Sequence, residues 1–198
     1  SGTINSARAA AEAAPEAHVT LVDTKNLSAA AGWQVEAAAR AVKAGWPLER
    51  VLALVERLRD ATDSIYTLRE LKYLIHGGRI SHMKGLIASM LNIKPIISVE
   101  KERGTYVQRG QARSFQGALK ALVDIIARQH APGSALRVQV RHSSDPEGAD
   151  ALRELLAQRF DCHFLPNGRL SLVLGAHTGP SMVGVAYAPL AAYADIPS

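Results

Sequence analysis

Residues 95–112 read PIISVEKERGTYVQRGQA. β-branched and aromatic residues crowd both ends of this stretch, and Glu102-Arg103-Gly104 interrupts it. The pattern predicts strands at about Pro95–Lys101 and Tyr106–Ala112, joined as a hairpin. Hairpin strands are antiparallel, whereas parallel neighbours need a long crossover. Working outward toward the C-terminus, a helix is expected from about Ser114 to His130, broken by Pro132-Gly133. Leu136–His142 alternates apolar and polar and reads as a half-buried strand. Ser144-Asp145-Pro146-Glu147 opens a helix to about Arg159. Strands are expected near Cys162–Leu165, Leu170–Gly175 and Gly184–Tyr187. Toward the N-terminus, a brief strand is expected at Ile65–Leu68. A helix follows at Arg69–His76, stopping at Gly77-Gly78, and another at Ser81–Asn92. These elements make a mixed sheet with helices against it.

The character changes near Thr62-Asp63-Ser64. Before it, a helix over about Asn5–Ala14 ends at Pro15, and His18–Asp23 (HVTLVD) reads as a short strand. A helix over Ala29–Ala44 stops at Gly45. Pro47 then opens another, with Leu48, Val51, Leu52, Val55 and Leu58 at helical spacing. Helix, strand, helix in this order reads as part of a parallel α/β sheet. The chain opens at Ser1, without Met, at the mouth of a helix, so an upstream portion is expected.

The chain has 198 residues, 47% hydrophobic and 21% charged, with a net charge of +5. Ordinary apolar content and low net charge exclude a disordered chain. No apolar run approaches the length of a membrane span. The 33 alanines and only 5% aromatic residues favour closely packed helices. Cys162 is the only cysteine, so no intrachain disulfide can form, which favours a reducing cytoplasm. Lying between Phe160 and Phe164, it reads as a small buried residue rather than a reactive thiol.

Charge is uneven. Residues 1–62 are neutral, residues 63–143 carry +8, and residues 144–198 carry −3. A basic middle suits an anionic ligand, an acidic protein partner or a solvated face. Nucleic acid is the weakest reading, because the bases are dispersed and no aromatic stacking motif interleaves them. His18, His82, His130, His142 and His163 show no metal-ligand spacing, and no nucleophile elbow, Walker loop or dinucleotide glycine pattern is present. No metal or cofactor is expected.

Four segments are more specific. Ser1-Gly2-Thr3 at a helix start offers hydroxyls and free backbone N–H groups to an anion, or serves as a plain N-cap. His76-Gly77-Gly78-Arg79-Ile80-Ser81 turns the chain sharply and projects Arg79, which could grip a carboxylate or phosphate or simply sit at the surface. In residues 83–97 (MKGLIASMLNIKPII), Met83, Leu86, Ile87, Met90 and Leu91 form an apolar face. That face suits a long apolar ligand, with ordinary core as the alternative. Gly175-Ala176-His177-Thr178-Gly179-Pro180 sets an imidazole in a turn, fit for binding or for a structural hydrogen bond.

In this order, the segments resemble the DegV family of bacterial fatty-acid-binding proteins. The resemblance rests on Ser1-Gly2-Thr3 with Ser6-Ala7-Arg8, on Val22-Asp23-Thr24, and on Leu71-Lys72-Tyr73-Leu74 running into Gly77-Gly78-Arg79-Ile80-Ser81. It continues through Leu91-Asn92-Ile93-Lys94-Pro95-Ile96 to Ala176-His177-Thr178-Gly179-Pro180. Two departures stand out: Ser181 replaces the family's usual glycine, and the Ser-Met-Gly-type loop reads Ser28-Ala29-Ala30-Ala31-Gly32. The resemblance implies an α/β chain of two domains. Residues 1–64 would be the later part of a three-layer α/β/α parallel-sheet lobe, and residues 65–198 a two-layer mixed-sheet α/β domain. It implies a long-chain fatty acid as ligand, and a separate fatty-acid kinase that phosphorylates it. The protein itself would be a non-catalytic carrier without an integral membrane segment.

Joined to the residues, the resemblance places the carboxylate at Ser1, Gly2, His177 and Arg79. The acyl tail would lie along Ile80, Met83, Leu86, Ile87, Met90, Leu91 and Ile96. Arg109 and Arg113, in the basic middle, are expected to dock the kinase. A different function remains open at this point: the broad fold also resembles dihydroxyacetone kinase substrate domains, in which a histidine holds a small carbonyl compound.

Overall fold

A computed structural model describes residues 2–80 and 93–197. In chain order the elements are α1 (Gly2–Ala13), a 3₁₀ turn at Pro15–Ala17, α2 (Ser28–Lys43), α3 (Leu48–Ala61), β1 (Asp63–Thr67) and α4 (Lys72–His76). They continue with β2 (Lys94–Glu100), β3 (Thr105–Ala112), α5 (Phe115–Ala127), β4 (Ala135–His142), α6 (Pro146–Ala157) and β5 (Asp161–Phe164). The chain finishes with β6 (Gly168–Arg169), α7 (Leu172–Thr178), β7 (Val183–Pro189) and a 3₁₀ turn at Leu190–Tyr193.

The strands form one mixed sheet in the order β3-β2-β1-β7-β4-β5, with β6 also paired to β4. The β2–β3 hairpin is antiparallel, as are β1–β2, β1–β7 and β4–β7, whereas β4 runs parallel to β5 and β6. Helices α5 and α6 begin where the sequence places their caps. The Ser114 hydroxyl accepts from the Gly117 N–H at 3.1 Å, and the Asp145 carboxylate accepts from the Gly148 N–H at 2.8 Å.

One face of the sheet packs on α5 and α6. Leu119, Leu122 and Ile126 of α5 and Leu152 and Leu156 of α6 meet Ile65, Ile96, Val138, Val140, Val183 and Val185. The other face carries two clusters. Helices α2 and α3 seat Ala30, Trp33, Ala37, Ala41, Leu54 and Leu58 against Ala186, Ala188 and Tyr193. Beside them, Tyr66 and Ile97 pack with Leu68, Leu71, Leu74, Ile80 and Met182.

Two elements differ from the sequence reading. Residues 18–23 pair with no described strand, His18 sits in the left-handed region at φ 47°, and Val19, Leu21 and Val22 stay 54%, 37% and 41% exposed. A strand exists only through a ladder partner, so an apolar alternation alone does not make one. The strand expected at Leu170–Gly175 is instead mostly helix α7. Ser171 caps it, accepting from the Leu174 N–H at 3.5 Å, and Leu172 and Val173 point outward, 92% and 72% exposed. A six-residue apolar run has no period long enough to separate strand from helix. Among the described residues, no helix is long and apolar enough to cross a membrane.

Candidate functional site

The Gly-Gly-Arg turn and the His-Thr-Gly-Pro turn lie about 100 residues apart in sequence, and the packing of α4 on α7 brings them together. Two glycines permit the approach. A Cβ on Gly77 would stand 2.6 Å from Nδ1 of His177, so the imidazole rests directly on the glycine backbone. Gly179, at φ +77°, ends α7 in a conformation open chiefly to glycine, and the Tyr73 ring fills the space its side chain would take. Arg79 follows the turn at the surface, and its guanidinium donates back to the Gly77 carbonyl. His177 is half-buried, and its imidazole makes no hydrogen bond among the described residues.

The α7 end is held by its neighbours. The Thr178 hydroxyl donates to the Leu174 carbonyl at 3.0 Å, and the Ser144 N–H donates to the Pro180 carbonyl at 2.8 Å. Ser181, which stands where the resemblance leads one to expect glycine, accepts from the Arg69 N–H at 3.1 Å. Its hydroxyl thereby ties the segment before α4 to the segment after α7. Met182 then turns into the cluster of Tyr66, Leu68, Leu74, Ile80 and Ile97. The imidazole and the guanidinium thus sit on the turns flanking an apolar cluster.

Ile80 is buried in this cluster, but Ile96 is not part of it. Ile96 is 1% exposed and faces α5 on the opposite side of the sheet. Successive strand residues point to opposite faces, so Ile97, not Ile96, accompanies Ile80. Gly2 heads α1, which carries no buried residue, and open space surrounds it. The structure does not bring it to His177. Ser1, Met83, Leu86, Ile87, Met90 and Leu91 lie outside the described residues. Arg109 is in β3, exposed, and donates to the Ser98 hydroxyl at 3.0 Å. Arg113 is exposed in the bend between β3 and α5.

The sequence reading missed Tyr66 and Tyr106. Their rings meet edge to face at 6.0 Å beside Ile97. The Tyr66 hydroxyl is buried with no hydrogen-bond partner, and burial holds both phenols above their ordinary pKa of 10.0. The alternation in DSIYT over 63–67 and TYVQ over 105–108 carried the signal. Placing the two rings on one face needed the strand pairing. Cys162 is half-buried against the α5-side core, and burial pushes its thiol up to about 11.

These features describe a mixed α/β protein with helices on both faces of one sheet and two glycine-containing turns brought together by the packing of α4 on α7. A family model for DegV proteins matches residues 1–190. A DegV domain-containing protein of Deinococcus radiodurans is 38% identical over 191 residues, covering 96% of this chain and 67% of that protein. A DegV family protein from Thermus thermophilus, described as fatty acid binding, superimposes with a TM-score of 0.86 at 30% identity, over 96% of this chain and 67% of its own. The fatty acid binding DegV family protein from Streptococcus agalactiae gives a TM-score of 0.81 at 25% identity, over 96% and 66%. The chain belongs to the DegV family. It spans about two thirds of the length of these relatives.

Proposed function

We propose that this protein binds a long-chain fatty acid and presents its carboxylate to a separate fatty-acid kinase in the cytoplasm, acting as carrier rather than catalyst. The observation that carries the reading is the contact of His177 with Gly77, beside Arg79 and at the rim of the apolar cluster. The relatives from Thermus thermophilus and Streptococcus agalactiae, both described as fatty acid binding, support it.

A fatty acid needs one anion site and a long dry channel. His177 donates to the carboxylate, and Arg79 adds charge. Charge-assisted bonds of this kind contribute about 1.5–3 kcal/mol each. The tail lies along Ile80 and the segment carrying Met83, Leu86, Ile87, Met90 and Leu91, where burial contributes about 0.8 kcal/mol per CH₂. The tail therefore dominates affinity, and the head fixes direction. Arg109 and Arg113 dock an acidic face of the kinase.

The test is lipid mass spectrometry on protein purified under native conditions. His177→Ala and Arg79→Ala are expected to retain clearly less fatty acid than the unaltered chain; unchanged lipid content would overturn the carboxylate assignment. Charge reversal at both Arg109 and Arg113 is expected to slow acyl-phosphate formation by the kinase while leaving lipid content intact. An unchanged rate would remove them from the docking face.

A further inference from the structure

A cavity of about 640 Å³ opens between the start of α2, the outer half of β4 and the segment leading into α7. Neither His177 nor Arg79 lines it, so it is separate from the carboxylate site proposed above. Its walls include Arg137, Arg141 and Arg169, against a single acid, Glu36.

The three arginines differ in how their charge is met. Arg137 lies between the rings of Trp33 and Tyr193, at 4.9 and 4.6 Å from their centroids, and pairs with Glu36 at 3.2 Å. Glu36 is shared with Arg40 at 2.8 Å, and Nε of Arg137 is buried without a partner. Arg141 is half-buried and has no acid beside it among the described residues. Its guanidinium takes the space that a side chain at position 168 would need, so Gly168 clears room for it. Burial lowers its pKa from 12.5, and no neighbouring charge offsets that effect. Arg169 reaches the cavity from β6, exposed and likewise unpaired among the described residues.

Partly buried cations without counter-ions are costly unless something anionic compensates them. Two guanidiniums converging on one cavity suit the planar, two-pronged recognition of phosphate oxygens. The volume lies in the range of small-molecule sites. Leu165, Leu170 and Leu174 provide an apolar wall for the body of the ligand.

We propose that this cavity is a second ligand site that takes a phosphomonoester, with Arg141 and Arg169 gripping the phosphate. The ester is either a small soluble molecule or the headgroup of a lipid, and the two share the same head chemistry.

The indole N–H of Trp33 donates to the Gln139 side chain at 3.0 Å at the cavity wall, so its NMR resonance reports locally on occupancy. Inorganic phosphate and glycerol 3-phosphate, titrated at constant ionic strength, are expected to shift this resonance and leave that of Trp46 in place. Vesicles containing phosphatidic acid form a second arm, read by co-sedimentation. Response in the first arm identifies a soluble ester, and response in the second alone identifies a headgroup. In whichever arm responds, Arg141→Gln and Arg169→Gln are expected to weaken binding by about tenfold or more, the loss of one charge-assisted contact. Arg141→Lys keeps part of the binding, and Arg128→Gln, an exposed control on α5's C-terminal side, changes nothing. Arg169 is exposed and unpaired among the described residues, so its variant folds and the test stands even if Arg141→Gln does not. No response in either arm, or a response that both glutamine variants leave unchanged, overturns the proposal.

Discussion

The two faces of the sheet are built from different materials. On the α5–α6 face, Leu119, Leu122, Ile126, Leu152 and Leu156 interlock with valines and isoleucines of four strands. On the other face, α2 brings alanines at positions 29, 30, 37 and 41 against Ala186 and Ala188, and Trp33, Leu54, Leu58 and Tyr193 fill the space around them. Large aliphatic side chains keep helices at a distance and fill the gap themselves. Small ones let backbones approach and leave any remaining volume to polar groups or ligands. The arginine-lined cavity lies beside the alanine-rich α2, on the same face as the tyrosine-containing cluster of large side chains. One face holds a single continuous apolar cluster, and the other holds two, with the candidate binding chemistry beside them.

Paired substitutions test that contrast most strongly. Leu122→Ala, at a fully buried position, is expected to destabilise by about 2–5 kcal/mol through lost burial and a residual cavity. Ala30→Leu, also fully buried, should cost about 1–3 kcal/mol by overpacking. Urea titration measures both. If Ala30→Leu were neutral or stabilising, the close-packed description of the α2 face would break.

A smaller effect on stability, with a larger one on binding, is expected for Gly77→Ala. Gly77 has φ −73° and ψ −4°, angles that alanine adopts, and the new methyl would stand 3.0 Å from the Tyr73 carbonyl oxygen. It would also stand 2.6 Å from the His177 ring and must push it aside. Stability should fall by about 1 kcal/mol, the centre of single-substitution effects, while retained fatty acid falls. Full lipid content in a variant with an intact fold would separate the His177 position from binding.

The smallest effect belongs to the large-residue face. His130 packs edge-on against Tyr187 at 5.8 Å, and burial lowers its pKa below 6.5, partly offset by Asp63. The folded state therefore binds this proton less readily than the unfolded chain. Its share of stability is present above pH 6.5 and is lost as pH falls through the lowered folded value. His130→Asn should flatten the stability profile slightly on the acid side. An identical acid limb in both proteins would show that this histidine does not contribute.

Much of the frame was legible in one dimension. Gly104 closed the hairpin, Ser114 and Asp145 announced their helices, and the alternation of Leu136–His142 placed Val138 and Val140 inside. Local rules suffice there because turn geometry, caps and period are properties of neighbours in sequence. They failed at His18–Asp23, which lacks a ladder partner, and at Leu170–Gly175, where a capping serine overrode apolar character. Ile96 shows the finest failure: an apolar pair names two candidates for one cluster, and only the pairing register chooses Ile97.

The sequence by itself determined the α/β class, the starts of α5 and α6 and the residue types able to hold an acidic head: a histidine in a glycine turn and an arginine after a glycine pair. Tertiary structure alone decided that these turns touch, that His177 rests on Gly77, and that three arginines distant from any one motif share a cavity. Arg137 and Arg141 are ordinary strand residues until α2 covers them, and Arg169 is an ordinary loop residue until β6 pairs with β4. Contacts between distant segments depend on packing and register, which no local spacing encodes.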